Sequence, residues 1–149
     1  MSDFLTVAGT KLYVSTAAPA AQTSAAFGAL TWTEVGSLTQ IPSVRGKTFD
    51  TSELPLIGDP HKKRKKGSYT LPDAQFQCAW VEDDTGQEIV RAAEDTNDIL
   101  SFKVEKQDGA LRYFTAQVME FLENNGGSNE AVIGQFTLLR QTNTISASA

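Results

Sequence analysis

Nucleophilic or metal chemistry in this chain would have to run through His61 and Cys78, because the sequence holds one histidine and one cysteine. His61 opens the run HKKRKKG, whose five cations repel a metal ion. A protein metal site needs several clustered ligands, and none gather around it. Cys78 falls on the apolar face of an alternating stretch with no histidine near it, so it reads as a core cysteine. The segment between Gly58 and Gly67 is not a phosphate loop: Ser68 follows Gly67 directly, where a GxxxxGK motif needs lysine. Asp95, Asn97 and Asp98 have a fragment of calcium-loop spacing, but the glycine and distal glutamate are missing, so they read as a turn after a helix. Glu82, Asp83 and Asp84 are a carboxylate cluster better suited to capping a helix, or meeting a basic partner, than to acid–base catalysis. These residues describe a non-enzyme with no metal and no cofactor.

The strongest chemical signal is charge. The 149 residues carry a net charge of −5, and setting aside Lys62, Lys63, Arg64, Lys65 and Lys66 leaves −10 on the rest. An acidic body argues against a general nucleic-acid binder, which needs a positive field. Trp32, Trp80, Phe102 and Phe114 fall on expected core faces and do not interleave with basic residues as a base-stacking platform would. The length suits one domain, residues 1–149, and the 40% hydrophobic and 21% charged content is that of a soluble globular chain. With one thiol there is no internal disulfide. No secretory or membrane-spanning pattern is present, so synthesis in a cytosol and no membrane anchor are expected.

The elements that must position these residues read mainly as strands. Residues 11–16 and 30–36 are short β-branched and aromatic runs, and residues 17–29 read as a long loop. Residues 43–54 and 68–82 read as a long hairpin whose tip is a second long loop, 55–67. Thr48, Asp50 and Ser52 line one side of the first arm. Ala74, Phe76, Cys78 and Trp80 form the apolar side of the second, with Asp73, Gln75 and Gln77 opposite. Residues 83–96 form the one helix, capped by Asp84 with Gln87 or by Thr85 with Glu88, and striped by Ile89, Ala92 and Ala93. Residues 98–106 alternate, and 107–109 make a tight turn. Residues 110–123 are apolar on both faces, Phe114, Ala116, Val118 and Leu122 against Tyr113, Met119 and Phe121; β propensity and the preceding turn favour a strand. Residues 131–142 are the last strand and 143–149 a loose tail.

Taken in order, GTKLYVS, LTWTEVGSLTQIPSV, KKGSYTL, DDTGQEIVRAAED, SFKVEKQDG, YFTAQVMEF and GQFTLLRQTNTI resemble the major tail tube proteins of long-tailed bacteriophages over nearly the whole length. The resemblance implies a β-sandwich of about seven strands flanked by one short helix, and a fold similar to the type VI secretion tube protein. It further implies hexameric rings that close an inner β-barrel and stack into a hollow tube. Its implied partners are further copies of itself, the tape-measure protein and the tail terminator or tip proteins. DNA would pass through transiently during ejection without specific binding, and the protein would reside in the virion tail after synthesis in the host cytoplasm.

On this reading HKKRKKG belongs to a ring–ring interface loop of Leu54, Pro55, Ile57, Asp59, His61, Lys62, Lys63, Arg64, Lys65 and Lys66. Glu82, Asp83, Asp84, Glu94 and Asp95 are the acidic acceptors on an adjacent ring. Thr48, Asp50, Ser52, Asp73, Gln75 and Gln77 form a polar, nearly cation-free lumen wall along which DNA slides. The alternatives are a secretion-type ring-forming tube protein and a small nucleic-acid-binding module that grips through the basic loop.

Overall fold

The computed structural model describes residues 8–148; the side chains of Asp59 and Ser148 lie outside that description. Among the described residues the chain forms β1 (Lys11–Ser15), α1 (Ser24–Gly28), β2 (Thr33–Val35), β3 (Leu38–Gln40), β4 (Thr48–Leu56), β5 (Asp59–Thr70), β6 (Ala74–Ala79), α2 (Thr85–Ala93), β7 (Leu100–Glu105), β8 (Ala110–Asn124), β9 (Ile133–Arg140) and β10 (Ile145–Ser148). The protein is mainly β, as expected. Where two sheets and seven strands were expected, however, eight strands form one antiparallel sheet, and β4 and β5 form a separate two-stranded ribbon. The main sheet runs β2-β1-β7-β8-β9-β6-β3, with β10 paired to β8. Among the described residues no barrel closes.

Strand β8 organises this sheet. Its first half pairs with β7 across the turn at 107–109, where Gly109 takes φ 89°. Its second half pairs with β9, Ala116 to Arg140 through Asn124 to Ile133. A bulge between Val118 and Glu120 shifts the phase by one residue. Phe121 therefore turns into the core and Leu122 outward, the reverse of the sequence expectation; Met119 at the bulge is exposed. Of the expected loose tail 143–149, residues 145–148 are a strand: β10 continues the line of β9 along the same edge of β8, Ile145 opposite Tyr113; residue 149 lies outside the described residues. In the gap the Gln141 amide donates to Thr115 O, and the Thr115 amide donates to the Thr142 hydroxyl.

One core collects side chains from nearly every strand of the sheet: Leu12, Val14, Val35, Phe76, Phe102, Phe114, Phe121, Phe136 and Leu138 among them. Phe76 and Phe121 each stack on Phe136, with centroids 5.3 and 5.2 Å apart. A Cβ at Gly134 would lie 2.9 Å from Phe121 and 3.1 Å from the Cys78 sulfur, so the ring packs where a side chain would be. Trp80 joins the core's margin, edge-on to Phe121. Trp32 does not. It lies across the sheet with Tyr113 and the buried Phe27 of α1, to whose carbonyl its indole donates at 3.1 Å. The expected loop 17–29 thus contains a second short helix, capped by the Thr23 hydroxyl.

Helix α2 begins where its capping sequence places it, with Asp84 accepting from the Gln87 amide at 3.0 Å. Its buried face is Gly86, Gln87, Val90 and Ala93 rather than Ile89, Ala92 and Ala93. A Cβ on Gly86 would fall 2.2 Å from the Glu34 carbonyl oxygen, so glycine alone permits this approach to β2. Gln87 is fully buried and uses its whole side-chain amide: Nε2 donates to Gly36 O and Ala79 O, both at 3.0 Å, and Oε1 accepts from the Val81 amide at 3.1 Å and from Arg91.

Candidate assembly interface

Residues 55–67 are not a loop. The basic run is built into β5, and the ribbon it forms with β4 turns tightly at Ile57–Gly58. The hairpin partner of 43–54 is therefore 59–70; β6 instead pairs with β9 and β3 in the main sheet. At 3.3 Å per residue the nine residues of β4 reach about 30 Å. Every described side chain of this arm except Phe49 is exposed. Two irregularities shape it. One is a bulge at Gly67–Ser68, opposite Asp50; the other breaks the ladder at Pro55 and Pro60, neither of which has an N–H to donate.

Alternation deals the cations to both faces. One face carries Thr51, Glu53, Arg64 and Lys66; the other carries Ser52, Leu54, Lys63 and Lys65. Arg64 Nε lies 3.6 Å from Glu53 Oε1, an exposed pair of little stabilising weight. The arm also shows apolar groups: Leu54 is 60% exposed and Ile57 at the tip entirely so, with Leu56 beside them, and Tyr69 is exposed at the base. Of the expected interface residues, Asp59 lies in β5 but its side chain is outside the described set, and His61 and Lys62 lie next to the ladder break. Sequence reasoning missed Leu56 and the clamp at the arm's base. There Phe49 and Tyr69 face each other at 5.5 Å, Lys66 Nζ lies 4.0 Å over Phe49, and Lys47 Nζ lies 4.5 Å over Tyr69. The available signal was the cross-strand aromatic pair flanking the basic run.

An isolated two-stranded ribbon is marginal in water. The amides of residues 51–54 and 63–66 are therefore expected to exchange with deuterium within minutes in the free subunit, while those of β7 and β8 stay protected. Exchange of the arm as slow as the sheet would mean that it is held by its own body.

The expected acceptors divide. Asp84 is committed to the helix cap and to the Gly36 amide. Glu82 accepts from the Trp80 indole at 2.7 Å, and Glu94 accepts from the Phe121 amide. Asp83 and Asp95 are exposed. The expected lumen wall divides as well. Thr48, Asp50 and Ser52 share the arm face of Lys63 and Lys65, so that side is not cation-free. Gln75 and Gln77 lie in the main sheet opposite Thr137 and Gln135, and the exposed Asp73 precedes them; Glu120, which accepts from the Thr137 hydroxyl, adds a second carboxylate beside these polar side chains.

Among the described residues no group of three or more His, Cys, Asp or Glu could hold a metal, and no helix is long and apolar enough to cross a membrane. Burial leaves Cys78 fully covered and pushes its thiol up to about 11, so it is neutral and unreactive.

No family profile matches the sequence, and no curated protein does. Solved structures do. A chain of the cryo-EM structure of the anti-feeding prophage baseplate superimposes with a TM-score of 0.72 over 99% of this chain and 98% of its own, at 8% identity. The fold is shared. A chain of the sheath/tube terminator of an extracellular contractile injection system matches at TM-score 0.65, 9% identity and 99% coverage of both. A chain of the anti-feeding prophage tube-terminating cap matches at 0.61 and 12% identity, over 100% of this chain and 95% of its own. At these identities the likeness is one of architecture.

Proposed function

We propose that the chain is a structural subunit of a phage-type tail tube, not an enzyme. Copies form hexameric rings, in which neighbouring sheets close an inner barrel, and the rings stack through the arm. The tube encloses a tape-measure protein during assembly, meets terminator or tip proteins at its ends, and conducts DNA during ejection from the virion. The observation that carries this reading is the arm: a solvated basic ribbon with an apolar tip, projecting from an acidic body that has an injection-system fold. Sheet edges at β2 and β3 are left for a neighbour to cover, which closure into a ring would do. The face of Gln75, Gln77, Gln135 and Thr137 suits a lumen, since it offers DNA hydrogen bonds without cations.

The test is negative-stain microscopy of the purified protein across concentration and salt. Hollow rods of uniform width are expected, fewer as ionic strength rises, because exposed charge pairs are screened over about 8 Å at physiological salt. Particles that stay small at every concentration count against self-assembly. The five cations of the arm favour one other reading, a nucleic-acid-binding module. Tight retention of DNA by the free subunit at physiological salt would select it over the tube.

A further inference from the structure

A hollow of about 520 Å³ opens beside α2 and the segment 94–99 that leads from it to the start of β7, with Ile89, Ala92, Thr96, Asp98, Ile99 and Leu100 along its lining. Ile99 is 46% exposed there, Ile89 half-buried, and Ala92 at the surface. Asp98 lines the hollow, and the exposed Glu88 and Asp95 flank its lining residues in the chain. An apolar floor beside exposed carboxylates is the chemical complement of the arm tip, where Leu54, Leu56 and Ile57 stand bare beside Lys62 and Lys63. The arm's own body leaves that tip uncovered. We infer that this hollow is the receptor for the arm tip of a second copy: Leu56 and Ile57 fill it, and Lys62 and Lys63 meet Asp95 and Asp98. The inference rests on the arm being an assembly element and names what it grips. It also replaces the acceptor set expected from sequence, of which Asp95 alone belongs to this receptor.

Two engineered forms test it. Ile57→Cys protein is mixed with Ala92→Cys protein and oxidised at neutral pH, with Gln75→Cys as the control site on β6; the buried Cys78 stays silent. A disulfide between positions 57 and 92 is expected to form about ten times faster than one between 57 and 75, because docking raises the local concentration. Equal rates in copies that still form rods overturn the receptor and leave the arm's role standing. No disulfide at either site in protein that stays monomeric overturns both. The second form, Ala92→Arg, fills the hollow with a bulky cation at an exposed helix position that tolerates arginine. It is expected to keep its circular dichroism spectrum and lose rods; normal rods from this variant overturn the receptor.

Discussion

A subunit with serine at residues 62, 63, 64, 65 and 66 is expected to stay folded and to form no rods. The five replaced side chains lie on an exposed ribbon outside the hydrophobic core, so the core is unchanged. The one ion pair lost within the described chain, Arg64 with Glu53, is exposed and contributes at most about 1 kcal/mol. Thermal melting of the subunit is therefore expected to move little. Assembly is expected to fail because the net charge falls from −5 to −10 and acidic bodies then meet acidic arms. Rods of ordinary length with an ordinary salt dependence would refute electrostatic docking and leave the apolar tip as the only attraction.

Replacement of Gln87 by alanine has the largest effect expected on the subunit itself. This one amide joins the β2–β3 corner, the end of β6 and the first turn of α2. Its loss strands the Gly36 and Ala79 carbonyls and the Val81 amide in a buried site, at about 1–3 kcal/mol for each group that water cannot reach. A cavity adds to that. The expected loss is about 3–5 kcal/mol in urea unfolding, a large part of the stability of a small domain. Gln87→Glu tests the mechanism: it preserves volume and the acceptor for Val81 but cannot donate to two carbonyls while ionised. It should be nearly as destabilised near neutral pH. A glutamate variant as stable as the parent would show that packing, not hydrogen bonding, holds this corner.

The sequence showed what its local pattern could carry. The cap of α2 was legible because Asp84 and Gln87 are three apart, and β8 because its β-branched and aromatic content follows a hairpin turn. The phase of each was not. The buried face of α2 contains a glycine and a glutamine, which a search for apolar spacing passes over. The bulge at Met119 exchanges Phe121 and Leu122 without leaving a mark in composition. The basic run looked like a loop for a physical reason: alternation is visible only when one side of a strand is buried, and neither side of this arm is. Helix α1 is too short to show a period, and the small residues of β10 resemble any mobile tail. At the interface, the cations and Ile57 were legible as a patch. The receptor was not, since Ile89, Asp98 and Ile99 come to share one hollow only through the course of the segment 94–99 between α2 and β7.

The joint between arm and body bears on mechanics. Arg140, buried at the end of β9, donates to the Gly46 carbonyl at 3.0 Å and to the Thr144 hydroxyl at 2.9 Å, and Thr144 donates in turn to Val44 O. The chain entering the arm is thereby riveted to the sheet. A pull on the tip along the arm's axis is then carried down two covalent backbones side by side, and no ladder hydrogen bond need open in order to bear it. A ribbon that is marginal against thermal melting is in this direction a tether as strong as the chain itself. Under such a load the non-covalent contact at the tip gives way before the arm unzips.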